Sequence, residues 1–133
     1  MTARYFLITV CIFFLCVFSS CYNDSYFSNS DDVSISIRES DNVYKMTASF
    51  DKRKTRKVEN YISDYTGDNG LFKSGGNIVM DATTTFGDNI KVYVKFSPGK
   101  LKIELDKEEN SAEAYNEVKH MCEGIKELLA DQE

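Results

Sequence analysis

One histidine, four cysteines and a surplus of carboxylates are the groups of this 133-residue chain that could do chemistry. A nucleophilic serine or cysteine needs a base or a cation within hydrogen-bond reach, and the only imidazole is His120. At helical spacing His120 points away from the stripe Val118, Cys122, Ile125 and toward solvent, with Glu117 and Glu123 one turn away on either side. One histidine and two solvated carboxylates do not close a zinc site. Cys122 falls on the apolar stripe without a basic activator, so a packed, inert thiol is expected. Asp64, Thr66, Asp68 and Gly70 follow the spacing of a calcium loop. Asn69 and Gly75, however, stand where such a loop needs a glycine and an acid. The reading is therefore of no catalytic residue, no metal and no cofactor. A hydrolase working through two carboxylates about 5–10 Å apart is the enzymatic alternative.

The cysteine that speaks most clearly is Cys21. It follows Arg4, an apolar run over residues 5–18 and the small pair Ser19-Ser20. That run suits a signal-peptide core and is too short to span roughly 30 Å of hydrocarbon as a helix. Cys11 and Cys16 follow the bulkier pairs Thr9-Val10 and Phe14-Leu15 and are poorer acceptors for lipid. The stretch Phe18-Ser19-Ser20-Cys21 resembles the bacterial lipobox. Together with Ser97-Pro98-Gly99-Lys100 and Met121-Cys122-Glu123-Gly124, it makes the chain look like small lipoproteins of Bacteroidota-type bacteria. The resemblance implies removal of residues 1–20, acylation of Cys21 and attachment to the envelope, at the outer membrane. Asp24 and the pair Asp31-Asp32 resemble in part a surface-export signal, so periplasmic and surface faces both stay open. No activity comes with the resemblance. Ordinary secretion and a retained membrane anchor are the alternatives, and without lipid a Cys21–Cys122 bridge becomes available.

Loss of the leader leaves 113 residues, enough for one domain with one core. The leader holds one basic residue and no acid, so the net charge moves from −5 to −6. An acidic chain has no electrostatic reason to seek nucleic acid. With Cys21 acylated, Cys122 is the one remaining thiol and stability must come from packing. Residues 22–32, YNDSYFSNSDD, lack an apolar period and read as a flexible tether. The organisation expected is a signal peptide over 1–20, a tether over 21–32 and a single domain over 33–133.

Within the domain, Val33, Ile35 and Ile37 alternate with polar residues, as do Tyr44, Met46, Ala48 and Phe50, predicting two half-buried strands. Pairing Ile37 with Tyr44 and Ile35 with Met46 keeps the apolar side chains on one face. Asp51 is placed to cap a helix whose stripe is Val58, Tyr61, Ile62 and Tyr65, ended by Gly67. Ile78 to Phe86, Ile90 to Phe96 and Leu101 to Leu105 give three more strands. Their expected pairs are Phe86–Ile90, Thr84–Val92, Phe96–Leu101, Val94–Ile103 and Val92–Leu105. The Pro98-Gly99 turn is expected to loosen into a four-residue loop, because L-Pro-Gly twists against a tight hairpin. Asn110 or Ser111 starts a last helix, with Glu113 completing a capping box to Asn110. Its stripe is Ala114, Tyr115, Val118, Met121, Cys122, Ile125 and Leu128/Leu129, and Gly124 lets it approach the sheet. The order is ββαβββα, an α+β fold with a mostly antiparallel sheet and both helices on one face.

The other face supplies the candidate docking residues. Lys91, Tyr93, Lys95, Lys100 and Lys102 lie outward, with Lys95 directly across from Lys102, a pairing that costs a few tenths of a kcal/mol. Lys45, Thr47, Thr83 and Thr85 join them, making a polar, mildly basic surface suited to an acidic partner. A second basic group, Lys52, Arg53, Lys54, Arg56 and Lys57, opens the first helix, where the macrodipole disfavours cations. Leu71-Phe72 is an apolar pair in a glycine-rich stretch and a third candidate contact. The last helix is acidic, through Glu113, Glu117, Glu123 and Glu127, so charge is segregated within the domain. The expectation is a non-catalytic, membrane-anchored protein-binding domain, of inhibitor or immunity type. A structural or assembly accessory of the outer membrane is the alternative.

Overall fold

In the computed structural model, which describes residues 23–29, 33–67, 72 and 79–131, the alternating segments form one six-stranded sheet. The strands are β1 (Asn23–Asn29), β2 (Val33–Glu39), β3 (Val43–Ser49), β4 (Met80–Phe86), β5 (Ile90–Ser97) and β6 (Lys100–Asp106). Two helices, α1 (Thr55–Thr66) and α2 (Ala112–Ala130), complete an α+β fold. The strand order is β1-β2-β3-β6-β5-β4, and every neighbouring pair is antiparallel. The connection through α1 carries the chain from β3 to the far edge. Two hairpins then fold back until β6 pairs with β3.

One sheet face is apolar because each strand alternates with a period of two. Ile35, Tyr44, Met46, Val92, Val94, Phe96, Leu101, Ile103 and Leu105 are buried there, and Val58 and Ile62 of α1 with Val118, Cys122 and Ile125 of α2 join the same cluster. Phe72 packs into it as well, its ring 5.1 Å from that of Phe96. Buried there, its ring leaves little surface for the partner contact expected of it. Leu71 lies outside the described residues, as do Ile78, Asp68, Gly70 and Cys21, whose expected acylation therefore has no structural counterpart here.

Several expectations need correction. Asn23–Asn29, read as tether, runs as an edge strand from Asn23↔Glu39 to Asn29↔Val33. A backbone ladder can recruit a segment that has no apolar period. Ile35 faces Ala48 and Ile37 faces Met46, a register two residues from the one expected. The turn sits at Asp41-Asn42, closed by Ser40 N–H donating to Val43 O at 2.9 Å and Val43 N–H donating to Ser40 Oγ at 3.2 Å. A shift of two preserves the inward faces, which is why alternation could not detect it. Between β5 and β6 the loop is the tight two-residue one, with Ser97 opposite Lys100 and Gly99 at φ +77°. Tertiary bonds hold this turn against its unfavourable twist. Phe50 N–H donates to Gly99 O at 2.9 Å, and Gly99 N–H donates to Thr55 Oγ1 at 3.0 Å. A side chain at Gly99 would bring a Cβ to 2.7 Å from Phe50 O, so glycine is required there.

The helix ends differ too. Asp51 Oδ1 accepts from Arg53 N at 2.8 Å and caps a single 3-10 turn, Lys52–Lys54, ahead of α1. Gly67 ends α1 in the left-handed region as expected. Ser111 is the N-cap of α2, accepting from Ala114 N–H at 3.1 Å, so no Asn110–Glu113 capping box forms. Asn110 instead takes both backbone groups of Lys91, at 2.9 Å each, and reaches Asp106 O at 2.8 Å. Its amide replaces a strand residue, and the β5–β6 ladder ends at Tyr93↔Glu104 without the expected Val92–Leu105 pair. Gly124 faces α1 and not the sheet: a Cβ there would fall 1.8 Å from Tyr61 Oη.

Candidate functional site

The registers of four strands bring two polar rows side by side on the open face. One row runs Ser34, Ser49, Lys100, Ser97; the next runs Ser36, Thr47, Lys102, Lys95 and ends at Asp81 on β4. The first eight residues, with Ala48 and Leu101 at its floor, line a groove of about 310 Å³. It exists because serines on β2, β3 and β5 stop short of the lysine side chains around them. Ser36, Thr47, Ser49 and Ser97 make no side-chain hydrogen bond among the described residues, so their hydroxyls are available in the groove.

Acids flank two of the lysines and offset their charge. Lys95 Nζ lies 2.9 Å from Asp81 Oδ2, and Lys102 Nζ lies 3.2 Å from Glu104 Oε2. Tyr93 donates its hydroxyl hydrogen to Asp81 Oδ1 at 2.7 Å, and Lys102 sits 5.0 Å from the centre of its ring. The Tyr93 bond, then Lys95, holds Asp81 below its ordinary value, while Asp81 raises Lys95 and Tyr93. The Lys95–Lys102 juxtaposition is thus compensated from both sides. Lys100 makes no ion pair among the described residues, so the groove's uncompensated charge is at its Pro98-Gly99 end.

Of the candidates on this face, Lys95, Lys100 and Lys102 come together. Tyr93 lies one row away, holding Asp81. Lys91 is engaged elsewhere, paired with Glu109 at 2.8 Å. Thr47 was expected on this face, whereas the groove's serines and Asp81 were not among the candidates. Alternation placed Ser34 and Ser36 outward, but nothing local says that β2 lies two strands from β6 and three from β5.

The basic group at the start of α1 is partly structural. Arg53 grips Asp51 through Nε at 2.9 Å and Nη2 at 2.6 Å, which lowers Asp51 to about 2. Lys54 Nζ donates to Leu129 O at 3.3 Å and Asp131 O at 3.1 Å. A cation that would oppose the dipole of its own helix therefore caps the carbonyl end of α2, which has no basic residue in its last turn. Lys52, Arg56 and Lys57 are exposed and do not reach the groove floor.

The remaining chemical groups stay apart. Burial pushes the Cys122 thiol up to about 12, against a hydrogen bond with Tyr44 that lowers it; burial likewise raises Tyr44. His120 is exposed, with Nδ1 3.5 Å from Glu123 Oε2. Thr66 Oγ1 donates back to Ile62 O at 2.8 Å. Among the described residues no three His, Cys, Asp or Glu side chains cluster as metal ligands, and no helix is long and apolar enough to cross a membrane. Glu39 accepts from Lys107 Nζ at 2.7 Å and Tyr115 OH at 2.6 Å, tying β2 to α2. No family model, curated protein or solved structure matches this chain.

Proposed function

We propose that the domain is a non-catalytic binding module, held at the cell envelope by lipid on Cys21, that takes an acidic protein partner on its open sheet face. Inhibition of a secreted protein, in the manner of an immunity protein, is the role this reading favours. The observation that carries it is the groove: Lys100, without an ion pair among the described residues, lies beside the hydroxyls of Ser49 and Ser97, which make no side-chain hydrogen bond among those residues. A carboxylate there gains a charge-assisted bond and neutral donors together. The flanking Asp81 and Glu104 keep the surface from attracting anions indiscriminately, which suits selective docking better than bulk electrostatic capture. Burial of Cys122 also removes the thiol from nucleophilic chemistry.

Two measurements test the two halves of the proposal. Titration with an Asp/Glu-rich peptide should move the backbone amide resonances of Ser49, Ser97 and Lys100, while the Asn/Gln version leaves them still. Lys100→Glu should abolish the response without altering the fold. Equal shifts from both peptides would reject the acidic-partner reading. Mass spectrometry of the membrane fraction should find a chain beginning at acylated Cys21; an intact, unmodified leader would remove the anchor.

A further inference from the structure

β4 closes one side of the sheet, and among the described residues no strand pairs with its outer edge. Edge strands usually carry a block: a lysine, a proline, a bulge or a covering element. Met80-Asp81-Ala82-Thr83-Thr84-Thr85-Phe86 contains neither lysine nor proline, and its register with β5 runs unbroken from Met80↔Phe96 to Phe86↔Ile90. Its one charge, Asp81, is already matched by Lys95. Three successive threonines favour extended backbone. The inner side of the strand is also poorly covered. Ala82 is exposed, Met80 and Thr84 are half-buried, and Val79 just before them is 72% exposed.

The strand is complementary to itself. A twofold axis through Thr83 is the antiparallel self-pairing that engages all seven residues. Met80 then meets Phe86 and Ala82 meets Thr84 on the inner side, while Thr83 meets Thr83 and Asp81 meets Thr85 on the open side. The two Asp81 carboxylates are kept apart by roughly four strand positions, about 14 Å. Like charge across the new ladder is thereby avoided.

We propose that β4 pairs with β4 of a second copy in this register, joining two six-stranded sheets into one. The contact is isologous and uses up the β4 edge of both copies, so pairing through this strand closes at a dimer. The axis stands perpendicular to the sheet, which puts both open faces on the same side. An anchored dimer would present two grooves in one direction.

Cross-linking and sedimentation of the full chain, purified in mild detergent, test this. In Thr83→Cys the facing Cβ atoms come within about 4.5–5.5 Å, close enough for a disulfide after modest side-chain adjustment. Mild oxidation should therefore give a covalent dimer well above the background of the parent chain and of Asp41→Cys, at an exposed turn. Thr83→Lys sets two ammonium groups opposite each other and should weaken the dimer by about fivefold, with the melting temperature of dilute monomer unchanged. A parent chain that sediments as monomer at every concentration would overturn the proposal. So would Thr83→Cys cross-linking no faster than Asp41→Cys, or a dimer indifferent to Thr83→Lys.

Discussion

The two faces of this sheet are made by the same strands and obey opposite rules. On the inner face nearly every side chain is apolar and buried, from Ile35 through Met46 and Ile103 to Val94, and each packs against helices whose stripes were legible in advance. On the open face the same strands offer hydroxyls, lysines and acids, matched by ion pairs across strands, as in Lys95–Asp81, or along one strand, as in Lys102–Glu104. The inner face answers to volume and shape, so its energetics are large and unforgiving. The open face answers to charge in water, where each pair is worth little to stability. Sequence has room to vary there because folding depends little on each such pair.

That contrast can be broken most directly by truncation. Ile103→Ala, at a fully buried inner position, should cost about 2–5 kcal/mol, while Thr47→Ala on the same sheet's open face should stay within about 0.5 kcal/mol, both read from urea denaturation. Comparable losses would mean that the open face is also a packing surface. The helix layer gives an intermediate case. Gly124→Ala should gain about 1 kcal/mol of helix propensity yet destabilise the protein by about 1–3 kcal/mol in all, because the methyl enters the space of Tyr61 Oη. A double-mutant cycle with Tyr61→Ala should show strong coupling, and additivity would refute the clash.

The smallest effect lies at the boundary between faces and layers, at Glu39. Lys107 and Tyr115 hold its carboxyl below the usual 4.5, so the folded state binds that proton more weakly than the unfolded chain does. Its contribution is complete above about 4.5 and is lost as pH falls through the lower folded value. Glu39→Gln should cost about 1 kcal/mol at neutral pH and flatten that part of the acid limb, measured by thermal melts from pH 6 to 3. An unchanged acid limb would show that the bond to Lys107 contributes nothing.

How much could be read in advance varied with the range of the interaction. Phe86–Ile90, Val94–Ile103 and Phe96–Leu101 pair as alternation and loop length implied, because a hairpin's register is a local property. Ile37 with Met46 slipped by two from expectation because parity is blind to such a shift. Asn23–Asn29 escaped altogether, since it has no apolar period and β2 supplies the ladder it joins. The Pro98-Gly99 hairpin tightened for a reason no hairpin rule contains: Phe50 and Thr55, more than forty residues earlier, bind the turn. For the candidate site, Lys95, Lys100 and Lys102 were recognisable as outward lysines, whereas Ser34, Ser36 and Asp81 became part of the surface only through distant pairings.

Side-chain alternation settles which way each residue of a strand faces, and helical spacing settles which stripe is buried, because both follow from backbone geometry a few residues at a time. Neither carries information about which strands become neighbours. The β3–β6 pairing across the α1 connection is a long-range choice, made when the whole apolar face closes over one core, and it alone sets the serines of β2 beside the lysines of β5 and β6. The same choice leaves β4 at the rim, with an outer edge that no strand among the described residues pairs.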